Sequence, residues 1–254
     1  MSLITTIKLA NLEIGQKPLI AAVIPGEKFL KLAKRAKKIG ADLFELRIDR
    51  FNNLKPNFLV KTINELKAKT KLPIIATIRH RKETDFSKIK HYFTEEERLF
   101  LFHNLIPIVD GVDIELQAKK IISQVINFAK EKNKIVIVSY HNFQETPLNK
   151  KLESIVKEAK SSGADIAKLA VYAKNINDLA RLMFFTYTCP IKPLISISLG
   201  KVGAISRIIA PIFGSCLTYA FVNEPKRYGQ FELKDLVKEI KCCQSGVFPI
   251  EGRR

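Results

Sequence analysis

Short apolar runs of strand length recur along the chain, separated by longer stretches in which apolar and charged positions repeat with helical spacing. The apolar runs are PLIAAVI (18–24), DLFELRID (42–49), PIIATIR (73–79), GVDIEL (111–116), KIVIVSYH (134–141), ADIAKLAV (164–171), PLISISL (193–199) and CLTYAFV (216–222). Helical stretches between them include KFLKLAKRAKK, NFLVKTINELKAK, EEERLFLFHNL, AKKIISQVINFAKEK and KLESIVKEAKSSG. Alternation of strand and helix implies parallel strands joined by right-handed crossovers, and eight such strands closing on themselves predict an α/β fold, a (β/α)8 barrel. An open doubly wound sheet competes, but no glycine-rich phosphate loop follows the first run. IKLANLEIG ahead of the first strand reads as a short β-hairpin-like extension. No linker, low-complexity tract or domain-scale repeat interrupts the pattern, so residues 1–254 read as a single (β/α)8 barrel domain.

Successive side chains of a strand face opposite sides. In 42–49, Phe44, Leu46 and Ile48 suit packing under helices, which sends Glu45, Arg47 and Asp49 into the barrel. The same division puts Thr77 and Arg79 inward against Ile74, Ala76 and Ile78, and Asp113 and Glu115 inward against Val112, Ile114 and Leu116. It also turns Ile137, Ser139 and His141 inward, with Val136, Val138 and Tyr140 outward. In ADIAKLAV, Ile166, Lys168 and Ala170 face in while Ala167, Leu169 and Val171 pack outward. Polar groups from five strands thus converge, mostly toward strand C-termini, where barrel enzymes hold their chemistry. Singly, each has a structural reading: a strand lysine pairs with a carboxylate, a strand histidine is hydrogen-bonded core, and Glu45 with Arg47 is a buried ion pair. Convergence favours a site, because so polar an interior is costly without a ligand to serve.

Composition narrows the classes. The 254 residues are 46% hydrophobic and 27% charged, as in ordinary globular chains, and no apolar run is long enough to span a membrane. The N-terminal residues lack the features of a secretory signal, and Cys189, Cys216, Cys242 and Cys243 have no zinc-site spacing, so the reading is a cytoplasmic protein with reduced thiols. The net charge of +18 raises a nucleic-acid partner, but the lysines are scattered, and the densest group lies on the solvated side of an amphipathic helix. The expectation is no nucleic-acid and no membrane partner.

The interior groups suggest a reaction. Burial among Ile166 and Ala170, with Arg47 and Arg79 nearby, is expected to lower the pKa of Lys168 and leave a neutral amine that condenses with a ketone. His141 then serves as proton shuttle beside the imine, oriented by Glu83 in the following loop. The protonated imine is the electron sink, so no metal or cofactor is called for. Past the seventh strand, SLGKVGAISRI offers Gly200 and Gly203 for close backbone approach to a ligand and Arg207 for an anion. The polar segment 223–230 is long enough to fold over the barrel mouth.

ELRID, TIR followed by Glu83, SYHNF, ADIAKLAV, LGKVGAISR, FGS and the late GQ occur in one order over nearly the whole chain. Together they resemble the type I 3-dehydroquinate dehydratases. That resemblance implies a usually dimeric, cofactor-free (β/α)8 barrel that converts 3-dehydroquinate to 3-dehydroshikimate in the shikimate pathway of aromatic amino acid biosynthesis. It further implies that Lys168 forms the imine at C3, while His141, backed by Glu83, takes the C2 proton and helps the C1 hydroxyl leave. Arg207 and Gln230 would hold the substrate carboxylate, with Glu45, Arg47 and Arg79 on the hydroxyl side. Three positions depart from the family pattern: Lys226 stands for a lid serine, Ala21-Ala22 for a serine of the first strand, and Leu199 for a methionine. The rival readings are a Schiff-base class I aldolase acting on a sugar phosphate and a basic nucleic-acid-binding domain.

Overall fold

The structure is a computed structural model that describes residues 6–26, 28–83, 91–222 and 229–247. A two-stranded antiparallel hairpin, β1 (Ile7–Leu9) and β2 (Leu12–Ile14), precedes the barrel. The eight barrel strands are β3 (Leu19–Pro25), β4 (Leu43–Arg47), β5 (Ile74–Thr77), β6 (Gly111–Glu115), β7 (Ile135–Asn142), β8 (Ile166–Tyr172), β9 (Leu194–Leu199) and β10 (Leu217–Phe221). They run parallel in the order β10-β3-β4-β5-β6-β7-β8-β9. The ring closes near the strand N-termini, where Leu194 bridges Ser215 and its carbonyl accepts the Cys216 N–H at 2.9 Å.

Helices α1 (Phe29–Ile39), α2 (Pro56–Thr70), α3 (Glu95–Leu105), α4 (Ile122–Glu131), α5 (Asn149–Ser161), α6 (Ile176–Thr188) and α9 (Leu233–Val247) surround the sheet, with short α7 (Gly200–Gly203) and α8 (Ser206–Ile212) between β9 and β10. Local sequence fixes their ends. A reciprocal Thr94–Glu97 capping box starts α3, and Gly40, at φ +119°, terminates α1 in the left-handed region that a side chain resists.

Three aspartates pin alternate strand pairs. Asp42, Asp110 and Asp165 each stand just before a strand and accept a backbone N–H from the preceding one: Ile20 at 2.8 Å, Ile74 at 2.9 Å and Val136 at 2.7 Å. Each returns its own N–H to the carbonyl of that same residue. These charge-assisted bonds lock register, which in a barrel decides which parity faces inward. The sequence pattern did not reveal this short repeat.

The parity expected from sequence holds. Every residue assigned outward on the five divided strands packs between sheet and helices, while Ile137, Ile166 and Ala170 belong to a separate cluster inside the barrel. Leu9 and Ile14 of the hairpin join that inner cluster at the N-terminal end and are fully buried. Two strands end two residues earlier than expected. β4 ends at Arg47, with a 3-10 turn over Ile48–Arg50, and β5 ends at Thr77, leaving Arg79 just beyond it. The chain turns early because Asp49 folds back onto the Arg47 guanidinium and accepts the Arg79 N–H at 3.3 Å. Among the described residues no helix is long and apolar enough to cross a membrane.

Candidate active site

Lys168 projects from β8 into the barrel and is 5% exposed. Its Nζ lies 2.8 Å from Asp113 Oδ2, 3.5 Å from Glu45 Oε1 and 4.2 Å from the Tyr219 ring centroid. This environment corrects the expectation of a lowered amine pKa. Burial does disfavour the ammonium, but the carboxylates of Asp113 and Glu45 outweigh it, and the pKa rises above the ordinary lysine value. Parity had placed both acids inward without showing that they converge on this nitrogen.

Asp113 is the hub. Arg79 Nη2 pairs with it at 2.9 Å, and Arg79 Nη1 donates to Ser139 Oγ at 2.7 Å and meets Glu115 at 3.3 Å. Ser139 in turn donates to Asp113 Oδ1 at 2.7 Å, and Thr77 donates to Glu45 at 3.0 Å. Burial alone would raise the Asp113 pKa; Arg79 and Lys168 hold it well below the usual carboxylate range instead. Glu115 accepts the His80 N–H at 2.8 Å and pairs with Arg98, a fully buried guanidinium reaching in from α3. The remaining donors of Arg98 go to the Ile78 carbonyl at 3.0 Å and Glu95 at 2.8 Å.

His141, near the C-terminal end of β7, sits with Nδ1 2.7 Å from Glu83 Oε2. Burial, then the charges of Arg79 and Lys168, keep the imidazole pKa well below 6.5. Burial and the nearby Glu115 push the Glu83 carboxyl up to about 8. The pair therefore holds a proton on the carboxyl near neutrality, with an uncharged imidazole facing Lys168.

Arg207, on α8, is 5% exposed and donates to the Ser198 carbonyl at 3.1 Å. No carboxylate pairs with it among the described residues, and burial pushes its pKa down to about 10. A buried guanidinium without a counter-charge is suited to an incoming anion. Gln230 follows Gly229, which is at φ +72° and lies so close to the Gly200 carbonyl that a side chain would collide with it. The Gln230 side-chain oxygen is buried and makes no hydrogen bond.

The structure thus joins Lys168, Glu45, Arg79, His141 and Glu83 around Asp113 by hydrogen bonds and electrostatic contact. Arg47 is held apart in a bidentate pair with Asp49 at 2.9 and 2.7 Å. Packing within the protein already requires both Gly200 and Gly203: a side chain at the first would strike the Tyr172 ring, and at the second the Ser198 backbone. Lys226 and most of segment 223–230 lie outside the described residues. Sequence reasoning missed Arg98 and Tyr219. Arg98 could have been found, since 98, 101, 102 and 105 form one buried helical stripe; Tyr219 could not, because its strand carries no charged residue on either face.

A desolvated lysine beside a neutral imidazole, at the C-terminal half of an eight-stranded parallel barrel, defines the class of lysine-dependent enzymes that act on carbonyl compounds. Within that class, the type I 3-dehydroquinase family model matches residues 21–245, and the chain belongs to this family. It is 35% identical over 236 residues to the 3-dehydroquinate dehydratase of Methanococcoides burtonii, covering 92% of this chain and 98% of the relative. The solved 3-dehydroquinate dehydratase of Geobacillus kaustophilus superposes with a TM-score of 0.88 at 30% identity, over 95% of this chain and 97% of the other. The type I enzyme of Clostridium difficile, solved with covalent modified comenic acid, gives a TM-score of 0.88 at 28% identity, over 96% and 100%. The reaction is dehydration of 3-dehydroquinate through a lysine Schiff base, a hydro-lyase step of the shikimate pathway.

Proposed function

We propose that Lys168 is the lysine of that Schiff base, His141 its proton shuttle with Glu83 behind it, and Arg207 with Gln230 the clamp for the substrate carboxylate. One observation carries the assignment: Lys168 is the only buried lysine among the described residues. Attack begins when the ammonium gives one proton to His141, which later returns it to the departing carbinolamine oxygen. The free amine adds to the C3 ketone, and water leaves to form the iminium. His141 takes the C2 proton while the C–H electron pair flows into the iminium to give an enamine; the enamine then expels the C1 hydroxyl, which leaves as water with the proton that His141 returns. Water then hydrolyses the imine. Glu45 and Arg47 face the substrate hydroxyls, and Arg79 contributes by fixing Asp113.

The reading extends to a single-domain, cytoplasmic homodimer without a nucleic-acid partner. The scattered lysines support the last point. Exposed Phe184 and Tyr187 on α6 offer an apolar surface for a second copy to cover.

Borohydride added during turnover of 3-dehydroquinate should leave a stable adduct on the Lys168 peptide, and Lys168→Ala should show neither adduct nor enone absorbance. Turnover by wild type with Lys168 unmodified would overturn the assignment. Retro-aldol products from a sugar phosphate, with no turnover of 3-dehydroquinate, would favour the aldolase instead.

A further inference from the structure

Tyr219 lies on β10 in register with Ala21 of β3 and is 6% exposed. Its ring sits under the Lys168 nitrogen, within cation–π range at 4.2 Å from the centroid. Its hydroxyl is buried and has no hydrogen-bond partner. Buried tyrosine hydroxyls normally find partners, and an orphan is destabilising where phenylalanine would pack equally well. Apart from His141, the side chains around Lys168 cannot stand in for it as donors. Asp113 and Glu45 are acceptors, Ser139 and Thr77 donate to those two acids, and Arg79 is committed to Asp113, Glu115 and Ser139. The phenol stays protonated: burial pushes its pKa up, and Glu45 and Asp113 add to that against the opposing charge of Lys168.

We propose that Tyr219 is a catalytic residue for imine formation, its hydroxyl donating to the substrate ketone oxygen while its ring supports the charged nitrogen. The proposal rests on Lys168 being the imine lysine. As the Nζ lone pair bonds to the carbonyl carbon, the C=O π pair moves onto oxygen, and a donor aimed there stabilises the developing charge. Tyr219 gives up no proton. The oxygen takes its proton from the attacking nitrogen, then a second from His141, and leaves as water; the iminium charge then rests over the ring. The attacked carbon must come within about 3–3.5 Å of Nζ. The ketone oxygen then lies beside the ring on which the nitrogen rests, and the orphaned hydroxyl is the unpaired donor that ring carries. In the β10–β3 register the neighbour of Tyr219 is Ala21, whose side chain is a single methyl.

The test is Tyr219→Phe, which removes the hydroxyl and keeps the ring. Enzyme and 3-dehydroquinate are mixed rapidly and quenched with borohydride at increasing times. The rate of Lys168 adduct formation should fall at least about tenfold, as expected for loss of one preorganised donor. The thermal midpoint should stay unchanged or rise, because an orphan polar group has gone. Adduct formation at the wild-type rate would overturn the proposal, and slower formation with a lowered midpoint would assign Tyr219 to structure instead. Absence of a Lys168 adduct in wild type would sink the imine assignment and this proposal with it; a wild-type adduct that forms equally fast in the variant sinks this proposal alone.

Discussion

The lower and upper halves of the barrel interior are built from the same strands and the same side-chain parity, yet they obey opposite rules. Near the strand N-termini, Leu9, Ile14, Leu43, Ile137, Ile166 and Leu217 form a dry plug in which each is essentially inaccessible. Two residues further along β7 and β8, the same inward face carries Ser139 and Lys168, joined to Asp113, Glu45, Arg79, Glu115 and Arg98. Burying the plug stabilises the fold by removing apolar surface from water. Burying the charges contributes little net stability, since each ion must recover its lost hydration from its partners. The upper half is therefore best understood as machinery that the lower half and the aspartate-pinned strands hold in place.

The contrast can be broken most severely from outside the barrel. Arg98→Met leaves the buried Glu115 short of a partner and is expected to lower stability by about 3–5 kcal/mol, measured by urea unfolding. The loss should be smaller when Glu115→Gln is added, because the stranded charge is then gone. In the plug, Ile166→Ala is expected to cost about 2–5 kcal/mol through the cavity it leaves, with KM for 3-dehydroquinate unchanged at temperatures where the variant is folded. A large KM change in that variant would mean the two halves are not separable.

A smaller effect sharpens the account of the proton relay. A carboxyl held at about 8 keeps its proton near neutrality, hydrogen-bonded to His141 Nδ1. Loss of that proton lets Nδ1 carry the hydrogen, which frees Nε2 to act as base. The sign is therefore upward: kcat/KM should rise with pH through the titration of the Glu83–His141 pair, closer to 8 than to the ordinary histidine value of 6.5. Glu83→Gln should abolish that rise. A profile with its acid limb unmoved by the substitution would disconnect Glu83 from the relay.

Much of this was legible in the residues. Alternation of apolar runs and amphipathic stretches was enough for the barrel, and parity was enough to turn Lys168, Glu45, Asp113 and His141 toward one another. What parity cannot supply is distance. An inward lysine among apolar neighbours reads as a neutral amine, and only the 2.8 Å contact with Asp113 reverses that reading. The ties of Arg79 to Glu115 and Ser139 gave no sequence signal, because those partners, 36 and 60 residues away, are adjacent only after the barrel closes. At Gly200 and Gly203 sequence shows the missing side chain and not the Tyr172 ring and Ser198 backbone that fill its place. Tyr219 gave no signal, since an orphaned hydroxyl is a property of its surroundings.

The central claim is that the charged half holds Lys168 as an ammonium until substrate arrives. The most direct measurement is an NMR titration of the Lys168 side-chain nitrogen in the ligand-free enzyme. The account predicts that this nitrogen stays protonated throughout the range in which the enzyme turns over and titrates above the ordinary value of 10.5, with Asp113→Asn moving it downward. A nitrogen already neutral at pH 7, or one whose titration ignores Asp113, would contradict it.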